Sequence, residues 1–401
     1  MSGKTSGGSA LGRVLAVSGI AAATAAVLAG AGGVLAAVMA RTIVTPPRER
    51  ADDTTVLDVD AAAGMITLEA TADSVLHGEY SFFFSRGTGH ARLGDVVTSG
   101  DGVVTRRILN VDYGDLPAAT KGRLSGWLYL GPEDFGWPFE NVTIATEAGA
   151  APAWLIPAAE PSDQWVIQVH GRAVTRPEAL RAVPVFRQAG FTSLLISYRN
   201  DGEAPASRDG RYALGDTEWR DVDAAIEFAL SRGARGITLM GWSMGGAIVL
   251  QAATRTRHHR LLRGIVLESP VIDWADVVAF QGVIMGLPSV VAAAAMHVMG
   301  QRWGGLITGQ AIPIDFRRLD FVARADELHL PLLLLHSTDD GFVPVTGSRA
   351  LASSRRDIVT FVPFGVARHT KLWNYDRERW NSTIRTWLAE LPGGSPDGTP
   401  A

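Results

Sequence analysis

The pattern of hydrophobic and polar positions divides the chain into three textures. From Val14 to Ala40 the sequence VLAVSGIAAATAAVLAGAGGVLAAVMA carries no charge. It is longer than the ~20 residues a helix needs to cross ~30 Å of hydrocarbon. From Thr54 to Leu130 the chain falls into short alternating or β-branched runs: GMITLEA, GEYSFFFSRG, ARLGDVV, DGVVTRRILNV and GRLSGWLYLG. Glycine and Asp-Gly turns separate them and no helical period appears, which predicts a β-rich region. After GPEDFGWPFENVTI, continuous apolar runs alternate with segments of helical spacing. QWVIQV, TSLLIS, GITLM, GIVLES, LPLLLLHS and DIVTFVP read as strands. RPEALRAVPVFRQAG, TEWRDVDAAIEFALSRG, GAIVLQAATRTR and YDRERWNSTIRTWLAEL read as helices. Thr217 is the expected N-cap of the second, Gly233 lies just past its end, and Trp380, Ile384, Trp387, Leu388 and Leu391 share one side of the last. Apolar strands alternating with helices predict an α/β fold with a mostly parallel sheet covered on both faces.

The expected organisation is a tail (1–13), a transmembrane helix (14–40), a linker (41–53), a β-rich extension (54–139), a catalytic α/β domain (140–392) with a cap-like insertion at about 271–326, and a tail (393–401). Lys4 and Arg13 flank the apolar segment before it, and Arg41, Arg48 and Arg50 after it. A cleaved signal peptide is the rival reading, since Ala29-Gly30-Ala31 and Val38-Met39-Ala40 offer small residues. Signal h-regions run only about 7–15 residues, which favours an uncleaved single-pass anchor. Basic residues nearly balance across the segment, so the positive-inside rule gives no orientation.

Composition narrows the chemistry. With 47% apolar residues over 401 positions, the chain can build a full core. A net charge of −4 gives no reason to expect a nucleic-acid partner. The absence of cysteine excludes thiolate catalysis and cysteine-ligated metal.

Against that background GITLMGWSMGGAIVL stands out. Ser243 falls where an apolar strand gives way to a helix, with Gly241 and Gly245 two positions to either side. A serine on such a sharp turn projects its hydroxyl beside a helix N-terminus. A serine hydroxyl is a weak nucleophile without a base and an orienting acid. In this architecture they follow in the order serine, acid, histidine, at strand ends. HSTDDGFVP supplies a carboxylate after one later strand and VPFGVARHTKLW supplies His369 after the last. Asp340, its neighbour Asp339, and Asp273 in SPVIDW all remain candidates for the acid.

From about Glu140 to Leu391 the chain resembles the α/β-hydrolase superfamily, and within it bacterial serine hydrolases of the prolyl-oligopeptidase and esterase branches. GWSMGG resembles the family elbow, VIQVHGRA the His-Gly strand end that carries an oxyanion donor, and HSTDDGFVP the family's acid loop. Ser337 stands where that loop usually has glycine. The resemblance implies a triad of Ser243, Asp340 and His369, with backbone N–H donors at Met244 and Arg172. The Arg172 side chain could also meet an anionic substrate group, or simply be solvated. Family insertions such as 271–326 often cap the site, and here the stretch is apolar, with methionines and Trp303. It could shape an apolar pocket or pack as ordinary helices. Asn200, Asp201 and Glu218 could line a pocket or make buried loop hydrogen bonds. The expected activity is hydrolysis of a small carboxylic ester through an acyl-serine. Peptide or amide cleavage is the runner-up, and a catalytically silent binding protein the third reading. No metal or organic cofactor is implied.

Overall fold

The computed structural model describes residues 30–391. The described chain opens with a helix over residues 30–44 (α1). One face of α1, Ala36, Met39, Ala40 and Val44, is buried in the main core, while Val34, Leu35 and Val38 on the other face are exposed. Of the expected transmembrane helix, residues 14–29 lie outside the described residues. Its expected end at Ala40 falls inside α1, and the next residue, Arg41, donates from its guanidinium to Ile307 O at 2.8 Å. No helix among the described residues is long and apolar enough to cross a membrane.

Strands β1 (Thr54–Asp60), β2 (Met65–Glu69), β3 (Tyr80–Phe84), β4 (Gly89–Gly100), β5 (Val103–Tyr113) and β6 (Lys121–Ser125) close into an antiparallel barrel in the order β1-β2-β5-β4-β3-β6. Period-two alternation points Tyr80, Phe82 and Phe84 into its core with Leu68, Leu93 and Leu124. Two glycines are fixed by these rings: a Cβ at Gly89 would lie 2.0 Å from Phe84, and one at Gly122 2.3 Å from Phe82. Arg106 is fully buried yet satisfied, donating to the carbonyls of Ser74, Leu76, Gly78 and Gly94.

The second unit is an eight-stranded sheet, β7 (Glu140–Thr146), β8 (Gly149–Ile156), β9 (Gln164–Val169), β10 (Thr192–Ile196), β11 (Gly236–Trp242), β12 (Leu262–Glu268), β13 (Leu332–Ser337) and β14 (Val359–Phe364), in the order β14-β13-β12-β11-β9-β10-β8-β7. Only β8 runs against its neighbours. The helices are α2 (Val183–Gln188), α3 (Trp219–Ser231), α4 (Met244–Arg255), α5 (Trp274–Ile284), α6 (Ser289–Met299), α7 (Gly305–Thr308), α8 (Thr346–Ser354), α9 (Leu372–Tyr375) and α10 (Arg377–Glu390). α1, α3, α4 and α6 bury residues on one face of the sheet; α2, α9 and α10 cover the other. α10 presents Trp380, Ile384, Trp387 and Leu388 along one stripe, each contributing about 1.5–3 kcal/mol on burial. Thr217 does not cap α3. The N-cap is Glu218, whose buried carboxylate instead accepts from the Ala213 and Gly215 amides at 2.7 and 2.9 Å, while Gly233 ends the turn at φ +96°.

The barrel sits on the C-terminal helices. A Cβ at Gly78 would lie 1.9 Å from Asn374 O, Asn374 Nδ2 donates to Glu79 O at 2.8 Å, and Lys371 pairs with Asp73 at 2.9 Å. This seat brings the barrel's rim to the carboxyl ends of the sheet strands, where open α/β sheets hold their ligands.

Candidate active site

Ser243 sits between β11 and α4 at φ 51°, ψ −118°, a backbone state costing on the order of 1–3 kcal/mol. The surroundings impose it: a Cβ at Gly241 would meet Gly245 O at 2.4 Å, and one at Gly245 would meet Val169 O at 2.1 Å. Hydrogen bonds from Ser243 N to Glu268 O and from Val271 N to Ser243 O pin the turn. Of the ten described non-glycine residues with positive φ, five (Ala173, Ser243, Ser269, Arg368 and Thr370) lie in the loops around this serine, so strain concentrates here.

His369, on the loop after β14, stands with Nε2 3.0 Å from Ser243 Oγ and Nδ1 2.7 Å from Asp340 Oδ2. With Nδ1–H donating to the carboxylate, Nε2 offers its lone pair to the serine hydroxyl, the tautomer a general base needs. Asp340 Oδ1 accepts from the Phe342 and Val343 amides at 2.8 and 2.9 Å. Its Oδ2 is also approached by His336 Nε2 at 3.2 Å. His336 Nε2 faces a carbonyl and a carboxylate, so it donates; Nδ1 then accepts from Ser348 Oγ at 2.7 Å. Burial alone would raise the Asp340 carboxyl. The charge of His369 and the hydrogen bonds from His336 and His369 outweigh it and hold Asp340 well below the usual carboxylate range.

The other two carboxylates are occupied elsewhere. Asp339 Oδ1 accepts from Ser337 Oγ and from the Ala367 and Arg368 amides, bracing the loop that carries His369. Asp273 caps α5 through Ala275 N at 2.8 Å and pairs its backbone with Asp320; burial and then Asp320 raise its pKa.

On the opposite side of Ser243 lies the loop after β9. A Cβ at Gly171 would fall 3.3 Å from Ser243 Cβ, so the two backbones are in close approach. Gly171 N donates to Glu178 Oε2 at 2.7 Å. The amides of Arg172 and Met244 have no hydrogen-bond partner among the described residues. The Arg172 side chain takes neither expected course. Its Nε donates to Ile43 O at 3.2 Å and Nη2 to Thr42 O and Thr45 O at 2.8 and 3.0 Å, because the carbonyls ending α1 have no helical acceptor role left.

Ser243 and His369 open into a cavity of about 340 Å³. Among the described residues none from 271–326 lines it. That segment spends Val277, Val291, Ala295 and Met299 on the main core and leaves Trp303 half exposed. The walls come instead from the barrel (Asp73, Ser125), from Arg50 ahead of it, and from Arg368 and Lys371 beside His369. Sequence reasoning missed these four charged residues, whose grouping requires three distant segments to meet. Asn200, Asp201 and Glu218 make buried hydrogen bonds instead; Asp201 Oδ2 meets His170 Nε2 at 3.1 Å behind the loop after β9. Among the described residues no three His, Asp or Glu side chains are grouped to hold a metal ion.

Residues 160–312 match a family model described as serine aminopeptidase, S33, and residues 55–125 match a domain of unknown function, DUF8805. No curated protein matches the chain. An esterase of Pyrococcus furiosus is similar at 19% identity and a TM-score of 0.51, covering 66% of this chain and 95% of its own. An esterase from a Rhodococcus species (17%, TM-score 0.44, 63% and 99%) and a bromoperoxidase from Bacillus anthracis (17%, TM-score 0.45, 63% and 100%) are also similar. The strand order, the strained serine turn, the family model over residues 160–312 and the Pyrococcus furiosus likeness agree: the chain has an α/β-hydrolase fold.

Proposed function

We propose that the protein is a serine hydrolase that cleaves carboxylic esters through an acyl-serine. The observation that carries this reading is the continuous relay from Asp340 through His369 to Ser243, at 2.7 and 3.0 Å, ending in a solvent-connected cavity. Ser243 Oγ attacks the ester carbonyl as His369 Nε2 takes its proton. The carbonyl oxygen becomes an alkoxide beside the free amides of Met244 and Arg172, the kind of preorganised donors that usually supply the largest catalytic term. Collapse expels the alcohol, protonated by His369, and leaves acyl-Ser243. Water then attacks, giving its proton to His369, and the second tetrahedral intermediate releases the acid and restores the serine. Asp340, kept ionised, holds the imidazole in the working tautomer and stabilises it when protonated.

A fluorophosphonate probe on the full-length protein tests this reading. Labelling at Ser243, lost in Ser243→Ala, is expected; folded protein that resists labelling favours the silent binding protein. The match to the serine aminopeptidase model favours amide cleavage as a second reading. Turnover of aminoacyl anilides above that of 4-nitrophenyl esters would select it. A membrane tether through the segment that begins at Val14 is also part of the proposal. It is supported by the uncharged run 14–40 and by the exposed Val34, Leu35 and Val38 of α1. Retention in the membrane fraction after alkaline carbonate extraction is the expected result.

A further inference from the structure

The cavity over Ser243 has an unusual electrical balance. Four cations, Arg50, Arg172, Arg368 and Lys371, face it against two carboxylates, Asp73 and Glu178. The carboxylates are already engaged. Asp73 pairs with Lys371 at 2.9 Å and lies 3.8 Å from Arg368, which also reaches Asp339 at 4.0 Å. Glu178 holds the Gly171 amide and stands 3.8 Å from Arg181. The Arg172 guanidinium is bonded to neutral carbonyls only. Arg50 lines the cavity and makes no hydrogen bond or ion pair to any described residue; Glu178, Asp53 and Asp73 act on its charge only from beyond ion-pair distance. Arg50 is thus the cavity cation with neither a carboxylate nor a carbonyl within bonding distance. The apolar lining is thin, chiefly Leu124, Val174 and Phe342, and the volume lies near the lower end for small-ligand sites, about 300–1,000 Å³.

A cavity of this kind repels cationic groups, offers little to a long acyl chain, and attracts an anion to a planar guanidinium that can bind it bidentately. Resting on the serine hydrolase reading, we propose that the substrate is a short ester bearing an anionic group, a carboxylate or a phosphate, held by Arg50. The barrel then has a defined part in specificity. Asp73 on its rim ties down Lys371 and Arg368, leaving Arg50, on the segment leading into β1, as the unpaired cation.

The test uses the full-length protein and two matched ester pairs: 4-nitrophenyl hydrogen succinate against 4-nitrophenyl butyrate, and 4-acetoxybenzoate against its methyl ester. The first places the charge on the acyl side, the second on the alcohol side. The expected result is a kcat/KM ratio favouring the anionic member of one pair by about tenfold or more at low salt, falling as salt rises. Arg50→Met should collapse that ratio towards one and Arg50→Lys should keep part of it. Competitive inhibition by succinate but not inorganic phosphate would mark the carboxylate as the recognised form; the reverse would mark phosphate. Ratios near one in both pairs, or a ratio unmoved by Arg50→Met, overturn the proposal while leaving ester hydrolysis intact. If no ester turns over and Ser243 resists the fluorophosphonate, the serine hydrolase reading itself falls and takes this proposal with it.

Discussion

Among the described residues, a Ser–His–Asp relay in the barrel has bond lengths close to those of the relay at the cavity. In the barrel, His90 Nε2 lies 2.7 Å from Ser81 Oγ and Nδ1 2.9 Å from Asp112 Oδ2. At the cavity the corresponding distances are 3.0 and 2.7 Å for Ser243, His369 and Asp340. Everything around them differs. Ser81 is an ordinary residue of β3, fully buried, and His90 is enclosed between Phe83 and Tyr113. Asp112 is neutralised by Arg92, which pairs with both of its oxygens. Neither Ser81 nor His90 lines the cavity at Ser243. Ser243 instead stands on a strained turn, faces space and has unbonded amides nearby. Asp340 is met by two imidazoles and two backbone amides, with no guanidinium on it. Triad distances therefore identify a satisfied polar network as readily as a reaction centre. Access, strain and free donors separate the two.

The comparison is most easily broken with His369→Ala. Ester turnover should fall about 10⁴-fold with the far-ultraviolet circular dichroism unchanged, because relay members act as a unit. His90→Ala should leave that turnover in place as long as the barrel stays folded. The next largest effect separates the carboxylates: Asp340→Asn should lower kcat by roughly 10³-fold or more. Asp339→Asn, which loosens only the loop, should lower it by less than about tenfold, and Asp273→Asn by less still. Equal losses at Asp339 and Asp340 would count against Asp340 as the acid.

Stability should report the barrel relay as activity reports the other. His90→Ala leaves Ser81 and Asp112 without their partner and opens a small void, costing about 2–3 kcal/mol in urea denaturation. The smallest effect is the pH dependence. Burial, against the hydrogen bond that His90 donates to Asp112, lowers the His90 pKa below its ordinary 6.5. The unfolded chain therefore takes up a proton first as pH falls, so stability present above 6.5 declines below it. Asp340 is also depressed, from 3.8, so its contribution persists until pH falls below that value. Chemical denaturation from pH 7.5 to 5 should show a slope that His90→Gln flattens and Asp340→Asn leaves in place.

These two relays were unequally legible in the sequence. Ser243 and His369 could be read because a glycine-spaced turn and strand ends are local features that keep their meaning in the fold. The acid-loop resemblance pointed to Asp340 and left Asp339 and Asp273 as alternatives, but it gave no physical reason for the choice. The amides of Phe342 and Val343 turn Asp340 inward and those of Ala367 and Arg368 claim Asp339, and these contacts exist only in three dimensions. The barrel relay was invisible for the same reason: it joins β3, β4 and β5 through pairings such as Phe83 with His90 and His90 with Tyr113. Barrel closure, Thr54 against Gly122, is a long-range choice that alternation alone does not specify. The apolar residues of 271–326 pack into the core, a destination that hydrophobicity cannot distinguish from a substrate pocket.

Arg172 gives one residue two loyalties: its main chain borders Ser243 while its guanidinium grips the carbonyls of Thr42 and Ile43 at the end of α1 and of Thr45 just past it. The N-terminal segment is consequently a mechanical member, tied to the loop beside Ser243 by the Arg172 side chain. Shortening the protein to begin at residue 46, a natural choice for easier handling, would remove all three of those anchor points and slacken the loop that faces Ser243.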